Sequence, residues 1–328
     1  MFRPFLSSIT LIALACLTAC VPEAKDTAES TRLTVILDYL PGPIHAGFYA
    51  ADARGDYAAA GLDVVIQTPS ATTDTLRLMA AGQADLGLVP LLDFINLRSE
   101  GREMKLLMAV VQTPLNAIIT SAESGIKNPL DLEGRSIATT GILGDEIVLQ
   151  ALLKAHGGDA TKVDTINLGF NTIQALASSR VDAAFGFWNA EGVQYQESHD
   201  AVVLRSFEQG IPAYPELVLF TSDDRIAEKE DAIRRFIEIT LASYESLLAD
   251  PEEALIYFAA SVDGYEIESA RPYYDILLPV FQYQAASYGL IDRQTLIETM
   301  DWLSESGFPQ YQLPVDTLLA PGLTVIAP

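Results

Sequence analysis

Twice along this chain, short apolar runs with the character of strands alternate with helical stretches, and the first series breaks at Pro114 before the second begins. That alternation admits few architectures, because strands separated by helical crossovers pair in parallel and a parallel sheet needs helices over both faces. In the first series the strand-like runs are 33–37 (L-T-V-I-L), 62–67, 84–89 and 106–111, with helical stretches from Ala46, over 72–81 and over 91–98. The second series has strand-like runs at 116–120, 136–139, 163–167, 183–187 and 202–204, with helices over 146–156 and 172–178. From Asp223 onward the pattern turns helical, at 231–248, 251–260, 266–282 and 293–305. The expected fold is α/β and two-lobed, each lobe a mixed, mostly parallel sheet flanked by helices, with the last helices packed back on lobe 1. Lobe 1 is assigned to 32–113 and 216–328 and lobe 2 to 114–215, so the chain crosses between them twice.

A chain of 328 residues, 49% hydrophobic and 20% charged, can fill two such cores. Its 44 acidic against 20 basic residues give a net charge of -24, which repels a nucleic-acid backbone or an anionic lipid surface. The N-terminus is an address. Arg3 supplies a basic start and residues 5–14 an apolar stretch too short to span a bilayer, as in a secretory signal. Leu17-Thr18-Ala19-Cys20 resembles the bacterial lipoprotein processing box, which implies a signal peptide over 1–19, a lipid on Cys20 and a flexible tether over 20–31. An ordinary signal peptide with an incidental cysteine is the alternative. Cys16 and Cys20 are the two cysteines of the chain, so neither form of processing leaves an intramolecular disulfide. The expected location is the cell envelope, anchored on the extracytoplasmic side.

Open α/β sheets bind ligands beyond the C-terminal ends of their strands. Residues 167–191 place a glycine turn, a helix and then a strand that ends in Phe187, Trp188, Asn189 and Glu191. That puts an aromatic face and a carboxylate within reach of one ligand, although Trp188 could equally pack in the core and Glu191 sit solvated in a first helical turn. Asp38 and Tyr39 occupy the same kind of position after the first strand, with a turn or packing role as the alternative. They are expected to face Trp188 across the cleft. His45 is open to two roles, donating to a ligand oxygen or capping the helix that follows. Gly141-Ile142-Leu143-Gly144-Asp145 feeds a helix N-terminus whose free N–H groups could hold a ligand oxygen, while Asp145 and Glu146 disfavour phosphate there. Gln112 and Asn116 lie near the first crossing between lobes, where a hinge role is preferred to ligand contact. Asn171 has helix capping as its plain role.

The residues resemble those of a known family. Asp38-Tyr39-Leu40-Pro41, His45-Ala46-Gly47-Phe48-Tyr49 and Gly61-Leu62-Asp63-Val64 look like the opening of ABC-importer solute-binding proteins for sulfonates, nitrate, riboflavin and thiamine precursors. Ala81-Gly82-Gln83-Ala84-Asp85 is shared across that group and marks the fold, not the ligand. Gln112-Thr113-Pro114-Leu115-Asn116, Asn167-Leu168-Gly169-Phe170-Asn171 and Phe187-Trp188-Asn189-Ala190-Glu191-Gly192 resemble the branch that binds N-formyl-4-amino-5-aminomethyl-2-methylpyrimidine. The resemblance, from Leu33 to Ile226, implies a type II periplasmic-binding-protein fold, a permease partner, a monomer and no cofactor. It also implies ligand contacts at Asp38, Tyr39, His45, Asn116, Gly141, Leu143, Gly144, Trp188, Asn189 and Glu191, with tryptophan usual in the family where this chain has Tyr39.

An aminopyrimidine offers a flat π-face and N–H donors, so an aromatic and an acceptor suit it. Riboflavin or another heteroaromatic is the alternative ligand, and a pyrimidine-synthesising enzyme of the same fold is the distant alternative. Enzymatic readings lack their residues. His45, His156 and His199 are isolated without metal-ligand spacing, no G-x-S-x-G is present, and the cysteine-rich motif of the pyrimidine-forming enzymes of this fold has no counterpart in the mature chain.

Overall fold

Residues 30–281 and 288–326 are described by a computed structural model, so Cys16, Cys20, the leader and nearly all of the tether lie outside the described residues. The first sheet has the order β2-β1-β3-β10-β4, from β1 (Thr31–Ile36), β2 (Leu62–Gln67), β3 (Leu86–Pro90), β4 (Met104–Val111) and β10 (Leu217–Ser222). The second has the order β7-β6-β8-β5-β9, from β5 (Asn116–Ser121), β6 (Ser136–Thr139), β7 (Asp164–Asn167), β8 (Ala183–Phe187) and β9 (Ala201–Arg205). The two arrangements match. In each sheet the second strand (β1, β6) runs parallel to both neighbours, and the fourth (β10, β5) runs antiparallel to both of its own. Those antiparallel strands are the first ones laid down after each crossing: β4 leads through 112–115 into β5, and β9 leads through 206–216 into β10.

The helices are α1 (Ala46–Ala53), α2 (Asp56–Ala59), α3 (Asp74–Ala80), α4 (Leu91–Ser99), α5 (Leu143–Ala155), α6 (Thr172–Ala177), α7 (Glu191–Gln196), α8 (Asp223–Ala249), α9 (Pro251–Ser261), α10 (Ile267–Phe281) and α11 (Arg293–Ser306). They cover strands that are apolar on both faces. Every residue of β3 is buried, as is all of β4 except Lys105, which is the signature of a strand between two helical layers. Strand β10 lies outside the sequence expectation, which placed nothing between 204 and Asp223. Its run L-V-L-F-T is buried in the middle of the first sheet, but it follows a crossing rather than a helix and so breaks the β-α rhythm. Helix α8 begins at Asp223, eight residues before the expected start at 231, because Ser222 caps it by accepting from the Arg225 N–H. At Lys229 (φ -137°, ψ 27°) the backbone leaves helical geometry, which masks the first turns in the sequence pattern.

That kink has a use. It brings Lys229 Nζ to 2.8 Å from Asp85 Oδ1, whose Oδ2 in turn accepts from Thr34 N–H in β1 at 2.8 Å. The aspartate of the Ala81 to Asp85 motif is therefore a pin between sheet and helix. Helices α8 and α9 pack on α1, and the aromatic cluster of Phe48, Tyr57, Phe236 and Tyr244 fills the space between them. Helix α11 also reaches α5 beside the second sheet, with Gln150 Nε2 donating to the Ser306 carbonyl at 3.3 Å. None of the helices among the described residues is long and apolar enough to cross a membrane.

Candidate functional site

The C-terminal ends of β1, β3, β6 and β8 converge on a cavity of about 390 Å³. Beyond β1 lie Asp38 and Tyr39; beyond β3, Pro90 and then Asp93 in the first turn of α4; beyond β6, Thr140; at the end of β8, Phe187, followed by Asn189 and Glu191 at the start of α7. Tyr265 and Tyr273, before and within α10, close one side.

His45 holds Asp38. Its Nδ1 accepts the Gly42 N–H at 3.1 Å, which leaves the ring proton on Nε2, and Nε2 donates to Asp38 Oδ1 at 2.8 Å. Both ring nitrogens are thereby occupied, so His45 orients a carboxylate and has no nitrogen left for a ligand. Tyr39 is edge-on to Phe170 at 4.7 Å across the cleft, and its hydroxyl lies beside the Glu191 carboxylate. Burial, then that carboxylate, pushes the Tyr39 phenol well above its ordinary value. Glu191 is itself buried, and its Oε2 accepts the Phe187 N–H at 2.9 Å. Burial raises its carboxyl above the usual range, partly offset by the Phe187 N–H.

Trp188 is placed differently from its expected position. Strand alternation turns Phe187 into the cavity and Trp188 away from it, where the indole is buried, donates from Nε1 to the Pro114 carbonyl at 3.2 Å and carries the Arg205 guanidinium 4.3 Å above its ring. Tyr39 and Asp38 thus face Phe187 and Glu191, not Trp188. The loop before α5 differs too. The Leu143 and Gly144 N–H groups, expected to hold a ligand oxygen, donate instead to Asp93 Oδ1 at 3.0 and 3.3 Å. A carboxylate from the opposite side of the cleft therefore caps this helix, where the macrodipole favours negative charge. Gly141 serves the turn that makes this possible: its φ is +84°, and a Cβ there would collide with the Asn167 side chain. Asn116 does not line the cavity; its Oδ1 accepts from the Tyr214 hydroxyl at 3.2 Å, and Gln112 donates to the Leu290 carbonyl at 2.8 Å. Both lie by the crossings.

Sequence reasoning named Phe187 at the strand end but gave the aromatic contact to Trp188, and it passed over Asp93, Tyr265 and Tyr273 as lining residues. Asp93 did carry a signal, an acid inside the apolar run P-L-L-D-F-I directly after a strand. Its pKa is pushed up to about 7 by burial and then by Asp145, against the pull of the two backbone N–H groups. Asp145, which accepts from the Thr140 N–H and hydroxyl at 2.8 and 2.7 Å, is pushed up to about 6, again mainly by burial. Five carboxylates line the cavity (Asp38, Asp93, Asp145, Glu191 and Glu197) and no lysine or arginine does. Two of the buried oxygens there, Asp93 Oδ2 and Asn189 Oδ1, have no hydrogen-bond partner. Such a site is short of N–H donors, and it repels anions.

Two α/β sheets joined by two crossings, with a cavity at the facing strand ends, define the fold of the periplasmic binding proteins. Among solved structures with this fold are the alkanesulfonate-binding protein SsuA from Xanthomonas axonopodis pv. citri (TM-score 0.68, 15% identity, 92% of this chain and 100% of that one). The aliphatic sulphonate binding protein SsuA from Escherichia coli is similar to the same degree (TM-score 0.69, 13% identity, 89% and 98%). At these identities the likeness concerns the fold alone. The family model described as NMT1/THI5 like matches residues 42–254, and the chain belongs to that family. It is 30% identical over 89% of its length, and 91% of the relative's, to the formylaminopyrimidine-binding protein of Halalkalibacterium halodurans. It is 24% identical over 69% of its length, and 70% of the relative's, to the 4-amino-5-hydroxymethyl-2-methylpyrimidine phosphate synthase of Candida albicans.

Proposed function

We propose that this protein is the lipid-anchored solute-binding component of an ABC importer. It captures a thiamine-pyrimidine precursor, N-formyl-4-amino-5-aminomethyl-2-methylpyrimidine or a close relative, and hands it unchanged to the permease. The observation that carries this reading is the cavity's imbalance: five carboxylates, no lysine or arginine, and two buried acceptor oxygens without partners, in a lining that includes the aromatic rings of Tyr39, Phe187 and Tyr273. An aminopyrimidine brings the missing N–H donors and a ring to stack. A sulfonate or phosphate would meet five carboxylates and no lysine or arginine. In this reading Asp38, Tyr39, Asn189 and Glu191 touch the ligand, His45 holds Asp38, and Cys20 carries the lipid.

Binding favours the closed state because the ligand's partners come from both sides of the cleft. Titration calorimetry of the leaderless protein with the formylaminopyrimidine, the hydroxymethylpyrimidine, thiamine and riboflavin tests the assignment. Heat with either pyrimidine, and the same compound recovered afterwards, is the expected outcome; heat with riboflavin alone overturns it. Labelling of the full chain with a radioactive fatty acid, lost in Cys20→Ser, tests the anchor.

A further inference from the structure

Asp93 is engaged with both sides of the cleft. It sits in the first turn of α4, beside the first sheet, and its Oδ1 accepts from the Leu143 and Gly144 N–H groups that open α5, beside the second. Asp93 lines the cavity, and its Oδ2 is buried with no partner, the residue being 1% exposed. The space around that oxygen is kept clear, since a Cβ on Gly144 would stand 2.7 Å from it. Across the cavity Asn189 Oδ1, 3% exposed, is a second acceptor in the same state.

A buried acceptor left without a donor costs its desolvation, so the site gains from a ligand with N–H groups at these points and loses with one that presents carbonyl oxygens there. We infer that Asp93 selects an amino over an oxo substituent on the ligand ring, and that its other oxygen, on α5, makes that selection close the cleft. An amine on Oδ2 favours the charged carboxylate, which is the form the α5 N-terminus holds best. An oxo group would set oxygen against oxygen and weaken the same clasp. This inference rests on the pyrimidine reading above and names the residue that reads the ring.

The test is calorimetry at one pH with 4-amino-5-hydroxymethyl-2-methylpyrimidine and its 4-oxo counterpart, on the wild type, Asp93→Asn and Gly144→Ala, with thermal melts to establish that each variant is folded. The wild type is expected to prefer the amino compound by about a hundredfold or more. Asparagine keeps an oxygen for the two α5 N–H groups and turns its Nδ2 toward the cavity, so the preference falls by at least about tenfold in Asp93→Asn. Gly144→Ala crowds Oδ2 and lowers the preference in the same direction. An Asp93→Asn protein that binds with the full wild-type preference overturns the inference and leaves the pyrimidine reading standing. A wild type that binds both compounds equally, or the oxo compound better, overturns it without recourse to any variant. A wild type that binds neither removes the pyrimidine reading, and this inference with it.

Discussion

His45 is buried and saturated by Gly42 and Asp38, so its worth to binding is indirect. We expect His45→Ala to weaken pyrimidine binding by about tenfold, the scale of one lost hydrogen bond to a charged group, through a carboxylate no longer held in place. Calorimetry reads this directly, and an unchanged Kd would show that Asp38 needs no support. Trp188 gives the converse expectation. Because its indole packs behind β8 against Pro114 and Arg205, Trp188→Phe leaves the Kd within about twofold yet lowers stability by about 1–2 kcal/mol through the lost N–H bond and cation–π contact. Phe187→Ala, one position earlier, weakens binding by about tenfold or more, since that ring is the one turned into the cavity.

The two crossings behave as one element because Glu216, just before β10, ties them: its Oε2 accepts the Leu115 N–H at 2.9 Å, while its own carbonyl accepts the Leu91 N–H at 2.9 Å. Burial, opposed only in part by the Leu115 N–H, pushes this carboxyl up to about 8. At pH 5 it is therefore protonated in the folded protein, and glutamine imitates that state. At pH 8 the folded protein pays to keep it neutral or to bury its charge. Glu216→Gln should leave the melting temperature at pH 5 nearly unchanged and raise it at pH 8 by about 2–4 °C. A gain of equal size at both pH values would mean that the hinge acid is not buried as the fold places it. Crossings of this kind, joined here by Glu216 and by Tyr214, are where hinge rotation is absorbed.

Over the whole molecule the same logic adds up. Asp93, Asp145 and Glu216 have folded pKa values of about 7, 6 and 8, all above those of the unfolded chain. The folded state thus binds more protons between about pH 4 and pH 8, so the stability these groups permit is fully present below about pH 4 and is lost as pH rises through their folded values. The ligand-free protein should melt several degrees higher at pH 5 than at pH 8. Calorimetric scans check it; a melting temperature that climbs over that interval would contradict the buried acid set. Half-buried carboxylates with lowered values, such as Asp131 and Asp182, act below their ordinary range and leave this window unaffected. The alternation of apolar runs and helices made the two mixed sheets legible, since periodicity and burial are local properties of sequence. The positions of Asp38, Tyr39, Asn189 and Glu191 were legible too, because strand ends in open sheets converge. Strand β10 was not, as its partners β3 and β4 lie more than a hundred residues away in the chain. Nor could the sequence say which of Phe187 and Trp188 lines the cavity, because a shift of one residue in a strand reverses the face. Local patterns set which elements form, and long-range packing alone decided that Asp93, from one side of the cleft, would cap a helix on the other and keep its second oxygen without a partner.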